Sequence, residues 1–527
     1  MKLTQYRLIF IVSMFFVFFD NYSFFQNVLK VYPIEQNSYY VLSVGILLLS
    51  FLILFFTLLS SRYTTKPILI LTLMVSSFTS YFMNTYHIII DDSMIRNTLQ
   101  TDVNESVDLF TIKLVLYVVL LGILPSILVY KAKIEYKTFG KEIFSKIKTI
   151  VLAVIIMVIV IFTFSKFYTS FFRENKPLRF YTNPTYWMYS IGKYIYKTYN
   201  NGPIIVKAIG LDATIDNNNS KRKIVIMVLG EAARADRFSL NGYSKQTNPL
   251  LEQENIINFS NMYSCGTSTA HSVPCMFSIY DRKDYSYKKG VSTQNVIDVI
   301  NRTKKVDILW RDNNSDSKGV ALRVDYEDYR TPKNNTMCEG ECRDEGMLVG
   351  LDKRIKNAKG KDVLIVLHQM GNHGPAYYKR YPSEFEKFTP VCKTNQIEQC
   401  TQEEVSNAYN NAILYTDYFL AKVIEFLKPY SKDSDTAMIY MSDHGESLGE
   451  GGVYLHGLPY FMAPDAQKHI GSVMWFGNDD IVKSDILKSY SSKKFSQDNL
   501  FSTLLGIFDV KTKVYEPQMD ILKKAKP

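Results

Sequence analysis

The sequence of 527 residues lacks several patterns that would place it at once in a common class of protein. It contains no internal repeat and no low-complexity tract, which excludes a solenoid and a largely disordered chain. It contains no Gly/Arg-rich stretch and no basic stretch interleaved with aromatic residues, so the net charge of +10 does not indicate nucleic-acid binding. It has no C-x-x-C pair, which argues against a zinc knuckle, and no cysteine before Cys265.

Composition changes abruptly along the chain. Up to residue 164 long apolar runs alternate with short polar loops, whereas beyond residue 200 charges are regularly spaced. The mean hydropathy of −0.06 therefore averages two different environments. Because a chain of this length can form more than one core, we expect three parts. They are a transmembrane domain at 1–165, interfacial bridging helices with a linker at 166–220, and a globular domain at 221–527.

Five segments of the first part are apolar enough for membrane-spanning helices, which need about 20 residues. They are residues 8–25, 39–61, 67–86, 114–130 and 149–165. No small-residue cleavage site follows the first segment, so a cleaved signal peptide is not expected. Asp20 interrupts that segment near its outer end, and we expect a solvated, interfacial carboxylate there rather than a functional residue.

The basic residues of the loops predict the orientation. They precede the first segment and occupy the loops between segments two and three and between segments four and five. The loop from 84 to 112 instead has five acidic residues against Arg96 alone. The positive-inside rule then places the N-terminus in the cytoplasm and, after five crossings, the globular domain in the periplasm of a bacterial inner membrane. Most of the positive charge is explained by this topology.

The polar part predicts an α/β domain. Residues 166–201 are rich in aromatic and basic side chains, which suits helices in the lipid headgroup layer, although an aromatic linker has a similar composition. Apolar runs at 223–229, 306–310, 362–367, 437–441 and 471–476 predict buried strands, and residues 404–426 predict an amphipathic helix. Strands alternating with helices indicate a mostly parallel sheet covered on both faces.

Acidic and imidazole side chains follow several of these predicted strands. They are Glu231 after the first, His368 and His373 after the third, and Asp443 with His444 after the fourth. One such residue is more often a solvated turn residue, but several at one sheet edge favour a site. Carboxylate and imidazole ligands with an open position are typical of catalytic zinc, or of manganese where oxygen ligands dominate.

All six cysteines lie in the globular domain. An even number at close spacing in an oxidising compartment predicts three disulfides rather than a zinc cluster. Among the 15 pairings that six cysteines allow, proximity favours Cys265–Cys275, Cys338–Cys342 and Cys392–Cys400.

Five segments carry a family resemblance: VLGEAARADRFSLNGY, SCGTSTAHSVPCMFS, LWRDNNSDSKGV, LHQMGNHGPAY and YMSDHGESLGEGGVYLHG. They resemble the lipid A phosphoethanolamine transferases, including the mobilised colistin-resistance enzymes, of the alkaline phosphatase and sulfatase superfamily. The resemblance covers essentially the whole chain. It implies a five-helix membrane anchor joined to a catalytic domain of the alkaline phosphatase type.

The resemblance implies a nucleophile and a zinc site. Thr269 matches the nucleophile, and the expected zinc ligands are Glu231, Thr269, Asp443 and His444. The chemistry agrees, because a threonine hydroxyl is a poor nucleophile at neutral pH unless a metal or a base activates it. A helix-capping role for Thr269 is the structural alternative and is compatible with catalysis, since a helix N-terminus favours phosphate.

Other site residues are implied by the same resemblance. His373 and His456 resemble the pair that binds the substrate phosphate or a second zinc and assists the leaving oxygen. The expected contacts to the donor headgroup are Asn97, Thr101, Glu105, Ser315 and Lys318. The first three have the spacing of an ordinary amphipathic helix as well. His271 departs from the family and is expected to face away from the site, while His368 is expected to be a packed residue.

The function implied is transfer of phosphoethanolamine from phosphatidylethanolamine to lipid A through a covalent threonine intermediate, by a zinc-dependent monomer. The added amine would lower surface negative charge and give polymyxin resistance. The alternatives are a core sugar or flagellar protein as acceptor, a sulfatase or phosphodiesterase, a lipoteichoic acid synthase, and an inactive scaffold. The sulfatase pattern fails because Met276, not arginine, follows Cys275.

Overall fold

The structure, a computed structural model, describes residues 2–100, 107–199, 204–216 and 221–527. They form two compact units. The first unit consists of Met1–Ile95 and Phe110–Tyr196, and the second of Arg96–Leu109 and Lys197–Pro527. The second unit therefore includes a short segment that lies, in sequence, between two apolar helices of the first.

The first unit is built from apolar helices. Among the described residues, four are long and apolar enough to cross a membrane: Ile34–Leu59, Thr65–Tyr86, Ile112–Lys131 and Phe139–Thr163. The predicted first span is instead divided into Gln5–Asp20 and Tyr22–Val31, bent by 59°, and is a fifth span only if both parts are counted together. The bend follows from the non-helical backbone of Asn21, directly after a π-helical turn at Phe16–Asp20.

Asp20 lies at this bend, and the expectation that it is solvated is wrong, because only 2% of the residue is exposed. Ser80 Oγ donates to Asp20 Oδ1 at 2.9 Å, and Asn183 Nδ2 donates to Asp20 O at 3.0 Å. Asn21 Nδ2 donates to Phe16 O at 2.9 Å and to Asn183 O at 2.8 Å. A polar cluster thus satisfies the backbone groups that the bend releases from helical pairing.

Three shorter helical segments follow the last long helix: Ser165–Glu174, a 3₁₀ turn at Lys176–Tyr181, and Thr185–Tyr199. Several of their aromatic side chains are buried, among them Phe167, Tyr168 and Trp187. The ring of Phe167 stacks on that of Tyr40, with centroids 4.6 Å apart, and the hydroxyl groups of Tyr168 and Ser43 are 2.8 Å apart. Their location in a headgroup layer stays a prediction.

A seven-stranded sheet forms the centre of the second unit. Its strands are β1 (Arg222–Gly230), β2 (Ile256–Asn258), β3 (Val306–Asp312), β4 (Asp325–Asp328), β5 (Asp362–His368), β6 (Ser434–Ser442) and β7 (Ser472–Phe476). Their order is β2-β7-β6-β1-β5-β3-β4. Only β7 pairs antiparallel, with β6 and β2, so the prediction of a mostly parallel sheet is confirmed.

Helices accompany this sheet, whose central strands are buried along their length. All nine residues of β6 are buried, as expected for a strand covered on both faces. The described helices are Thr269–Met276, Tyr287–Val291, Val296–Arg302, Leu351–Asn357, Gln402–Leu427, Ser484–Lys488 and Leu500–Ile507. The longest corresponds to the predicted helix at 404–426. It begins at a capping box, in which the side chains of Thr401 and Glu404 each accept the other's backbone N–H.

All six cysteines are paired, and the pairs are the sequential ones: Cys265–Cys275, Cys338–Cys342 and Cys392–Cys400. The first bond brackets Thr269. The second closes a hairpin between the two-residue strands Cys338–Glu339 and Glu341–Cys342. The first bond therefore ties the helix Thr269–Met276 to the segment before it, and the second restrains a hairpin.

Asp417 attaches a loop to the helix Gln402–Leu427. Its two carboxylate oxygens accept the backbone N–H groups of Leu250 and Leu251 at 2.9 and 3.0 Å. Burial raises the pKa of Asp417 to about 7, against the opposing effect of these hydrogen bonds. An aspartate in the unfolded chain has an ordinary pKa near 3.9 and has released its proton by pH 5. At that pH the folded protein therefore still holds a proton on Asp417.

We expect this proton to make stability fall as pH rises from about 4 to about 7 and then level off, because the folded state binds more protons than the unfolded state in that window. Asp417→Asn should remove this part of the pH dependence. The measurement is thermal unfolding of the detergent-purified protein at pH 5 and pH 8, with the exposed Asp352→Asn as control. The expectation would be contradicted if the difference in Tm between pH 5 and pH 8 were the same in the parent and in Asp417→Asn.

Candidate functional site

Neighbouring strands bring three predicted site residues together. Glu231 directly follows β1, and Asp443 and His444 directly follow β6, the parallel neighbour of β1. All three residues are fully buried. One ligand atom of each lies within 4.8 Å of the others. The carboxyl edge of the sheet thus forms a compact group of two carboxylates and one imidazole.

Thr269 completes this group. It is the first residue of the helix Thr269–Met276, after the extended backbone of Ser268. Its Oγ1 donates to Glu231 Oε2 at 3.1 Å and lies 3.4 Å from His444 Nε2. His444 Nε2 is 3.3 Å from both Glu231 Oε1 and Asp443 Oδ2. The hydroxyl therefore lies at the start of a helix, where a phosphate is favoured, and beside Glu231 and His444.

These separations fit a tetrahedral metal ion. Zinc bound by nitrogen and oxygen at about 2.0–2.1 Å has ligand-to-ligand distances of about 3.3 Å, close to those observed. Asp443 Oδ2 is buried and accepts no hydrogen bond among the described residues, so it has electron pairs available for a cation. Two buried carboxylates also need a positive partner to offset their desolvation. The residues fit zinc, and their oxygen content would also suit manganese.

Hydrogen bonds from neighbouring groups hold the two carboxylates in place. Asn314 Nδ2 donates to Glu231 Oε2 at 2.9 Å. Asp443 Oδ1 accepts the backbone N–H groups of Ala232 and His444 at 3.1 and 2.7 Å. The sequence interpretation missed Asn314, whose uncharged side chain resembles any loop amide. Its position just after β3 was the one available signal.

A second group of potential ligands lies beside the first and consists of His444, Glu446 and His456. The ring centroids of His444 and His456 are 4.3 Å apart. His456 Nδ1 is 2.8 Å from Glu446 Oε2, and Glu446 Oε1 accepts the hydroxyl of Tyr377 at 2.8 Å. Sequence reasoning missed Glu446 and Tyr377, although Glu446 follows His444 by only two residues. A carboxylate at Nδ1 fixes the imidazole tautomer and leaves Nε2 for the site.

His373 lies next to His456, with ring centroids 5.5 Å apart. Burial, together with the neighbouring His456, Arg380 and His444, holds the pKa of His373 well below its ordinary value. Its imidazole is therefore neutral near pH 7. Arg380 Nε donates to His373 O at 2.7 Å and fixes the backbone of this loop.

The predicted headgroup contacts are only partly within the described residues. Lys318 Nζ donates to Ser315 O and to Gln100 O, both at 3.0 Å. Gln100 is the last residue of the helix Asp92–Gln100, which carries Asn97. Thr101 and Glu105 lie outside the described residues. The structure thus places Lys318 against the segment that was predicted to meet the headgroup.

Two other histidines lie near the site. His271 packs edge-on against Tyr285, with centroids 5.2 Å apart, and belongs to neither group of potential ligands found among the described residues. Burial, aided by nearby basic residues, lowers the pKa of His271 to about 4. His368 is fully buried at the end of β5, where its Nδ1 is 2.9 Å from Asp312 Oδ2. His368 is therefore a packed residue, as predicted.

Comparison with known proteins identifies the family. One matching family model is described as Sulfatase, over residues 223–510, and another as Phosphoethanolamine transferase EptA/EptB, over residues 48–199. Phosphatidylethanolamine transferases Mcr-2 and Mcr-1 of Escherichia coli are each 43% identical over 512 residues, covering 95% of this chain and 94% of the relative. The chain belongs to the phosphoethanolamine transferase family.

A solved member of this transferase family has the same architecture. The integral membrane lipooligosaccharide phosphoethanolamine transferase A (EptA) from Neisseria meningitidis is 35% identical, with a TM-score of 0.96 and 100% of both chains covered. The present chain is accordingly an integral membrane protein with an N-terminal membrane domain. Its C-terminal domain is sulfatase-like, with a mostly parallel central sheet.

We expect the purified full-length transferase to contain zinc, and His444→Gln to lower zinc affinity at least tenfold, because His444 is the nitrogen donor in the first group. His469→Gln is the matched control, since the ring of His469 is bonded to Ser260 O outside both groups. The measurement is metal content by mass spectrometry after dialysis against a weak chelator. Equal zinc content in both variants, or manganese in the parent, would contradict the assignment.

Proposed function

We propose that this protein transfers phosphoethanolamine from phosphatidylethanolamine to a phosphate of lipid A, with Thr269 as the covalent carrier. The observation that supports this most directly is the contact of the Thr269 hydroxyl with Glu231 and His444 at a helix N-terminus. The relatives named phosphatidylethanolamine transferase support the donor, and the neisserial lipooligosaccharide enzyme supports an acceptor of the lipid A type.

In the first half-reaction, Thr269 Oγ1 attacks the phosphorus of phosphatidylethanolamine. The bond from phosphorus to Oγ1 forms while the bond to the glycerol oxygen breaks. Diacylglycerol leaves, and its glycerol oxygen receives the proton of the threonine hydroxyl. Phosphoethanolamine remains bound to Thr269.

The metal expected at Glu231, Thr269, Asp443 and His444 is zinc, which would lower the pKa of the threonine hydroxyl and offset negative charge on phosphorus-bound oxygens. Glu231 and Asp443 hold their positions through Asn314 and the backbone N–H groups of Ala232 and His444. The N–H groups at the start of the helix Thr269–Met276 are proposed to contact the phosphoryl group.

His456 is proposed to move the proton. Glu446 accepts the Nδ1–H of His456, which leaves Nε2 facing the reaction, and Tyr377 holds Glu446 in place. The neutral His373 and the cation of Lys318 are proposed to contact the substrate phosphate. Asn97, Thr101, Glu105 and Ser315 remain proposed contacts of the donor headgroup.

In the second half-reaction, an oxygen of a lipid A phosphate attacks the phosphorus bound to Thr269. The bond to Oγ1 breaks, the threonine hydroxyl is regenerated, and a proton returns to Oγ1. The product is a lipid A molecule that carries one added amine. Its negative charge is therefore lower, and its attraction for cationic polymyxins is weaker. An inner-membrane anchor with the catalytic domain in the periplasm keeps the enzyme among its lipid substrates.

Mass spectrometry of the full-length protein tests the intermediate. Incubation with phosphatidylethanolamine alone should add one phosphoethanolamine mass to Thr269, and Thr269→Ala should abolish the addition. Ser268→Ala is the matched control, because Ser268 is a neighbouring hydroxyl whose side chain caps no helix N–H. Rapid release of free headgroup without an acceptor, and with no adduct, would favour the hydrolase alternative instead.

The role of Glu446 is tested by Glu446→Gln. Loss of the carboxylate at His456 Nδ1 should lower kcat about 10–100-fold while the KM for donor changes little, because tautomer control acts on proton transfer rather than binding. The exposed Glu425→Gln serves as control. The measurement is the rate of adduct formation across pH 6–9, and an unchanged kcat and pH profile would exclude a positioning role.

A further inference from the structure

A cavity of about 780 Å³ lies in the second unit next to the candidate site. Asn313 and Asn314, directly after β3, form part of its wall. Asn314 Nδ2 and Thr269 Oγ1 contact the same oxygen atom, Glu231 Oε2. The wall of the cavity is therefore adjacent to the proposed nucleophile, and its volume is typical of a site for a small molecule. The described residues that line the cavity do not include Ser315 or Lys318, which are proposed to contact the donor lipid.

Charged side chains line this cavity, and basic ones outnumber acidic ones. The basic residues are Arg330, Arg343, Lys379 and Arg380, and the acidic residues are Asp108, Glu339 and Glu341. Most of these charges are neutralised within the protein. Lys379 and Arg380 both pair with Asp108, and Arg380 also pairs with Glu341 at 2.5 Å. Arg330 pairs with Asp328 at 2.7 Å.

Arg343 is the exception, since it has no carboxylate partner among the described residues. Its Nη1 donates to Lys379 O at 2.7 Å, while its Nε is buried and donates to no described acceptor. The guanidinium of Arg343 therefore lacks an anion among the described residues that would offset the cost of removing it from water. Its planar donors match the oxygens of a phosphate better than those of a neutral ligand.

The position of Arg343 is fixed by its neighbours. It directly follows Cys342, whose disulfide with Cys338 closes the hairpin at the cavity. Asn313 Nδ2 donates to Cys342 O at 2.9 Å and to Asp344 Oδ1 at 2.8 Å. Because this backbone is tied to the strand end, little ordering is required when a ligand binds.

We propose that this cavity binds a phosphorylated sugar of the acceptor that carries a second phosphate, distinct from the one that reacts, and that Arg343 contacts this second phosphate. The inference rests on the proposed function. A cavity far larger than a phosphate accommodates a sugar ring, and Thr331, Tyr378 and the exposed Glu339 in its wall suit sugar hydroxyl groups. Arg343 is thus a specificity-determining residue for the second half-reaction.

The test uses the full-length protein in phospholipid micelles. The two acceptors are glucosamine-disaccharide lipids that are identical except that one bears two phosphates and the other bears one. The first half-reaction is measured as the gain of a phosphoethanolamine mass on Thr269, and the second as the rate at which that mass is lost at increasing acceptor concentration. The variants are Arg343→Gln, Arg343→Lys and the matched control Arg302→Gln. Arg302 also has a buried Nε without a described acceptor, but it lies outside this cavity.

Arg343→Gln should raise the KM for the bis-phosphorylated acceptor about tenfold, the loss expected for a hydrogen bond between charged groups. It should leave adduct formation and the KM for the mono-phosphorylated acceptor unchanged, which also shows that the variant is folded. Arg343→Lys should restore part of the affinity, and Arg302→Gln should behave as the parent.

An unchanged KM for both acceptors in Arg343→Gln would overturn the assignment. Slower adduct formation would also overturn it, because the cavity would then serve the donor lipid. Inhibition of the parent by micromolar inorganic phosphate, lost in Arg343→Gln, would identify free phosphate as the ligand and likewise overturn it. If the parent forms no adduct at all, the proposed function fails and the assignment falls with it.

Discussion

The burial of two carboxylates beside one imidazole nitrogen is the constraint on which this site depends. Glu231 and Asp443 both approach His444 Nε2 at 3.3 Å in a fully buried position. Removing two negative charges from water costs several kcal/mol each unless a cation offsets them. The same charges that make this sheet edge unfavourable without a partner therefore favour the binding of a cation there.

This constraint explains why so many surrounding groups are donors rather than acceptors. Asn314 and the backbone N–H groups of Ala232 and His444 are directed at the carboxylates, and each bond lowers the cost of keeping them ionised. His444 links the metal group to the neighbouring group of Glu446 and His456. His444 is thus shared by the two groups, so a change in its position would affect both.

The sequence predicted the central strands and the residues at their ends, because buried parallel strands have a strong apolar signal and their ends meet at one edge. The edge strands β2 and β4 were missed, since three or four half-exposed residues have no such signal. Asn314 and Glu446 were missed because their roles depend on hydrogen bonds between distant segments. Asp20 was misread because the bend at Asn21 and its partner Asn183 cannot be inferred from a local apolar run.

The discontinuity of the second unit has a consequence for how this domain is produced. Residues 96–109 belong to that unit, although apolar helices flank them in the chain. Asp108 of this segment neutralises the buried Arg380, which in turn holds the backbone of His373. A soluble fragment beginning near residue 197 would therefore be an incomplete domain. It would retain Glu231, Asp443 and His444 but lose Asp108, one of the two carboxylates that pair with Arg380. Crystals of such a fragment would therefore show the loop of His373 beside an arginine with one carboxylate partner fewer.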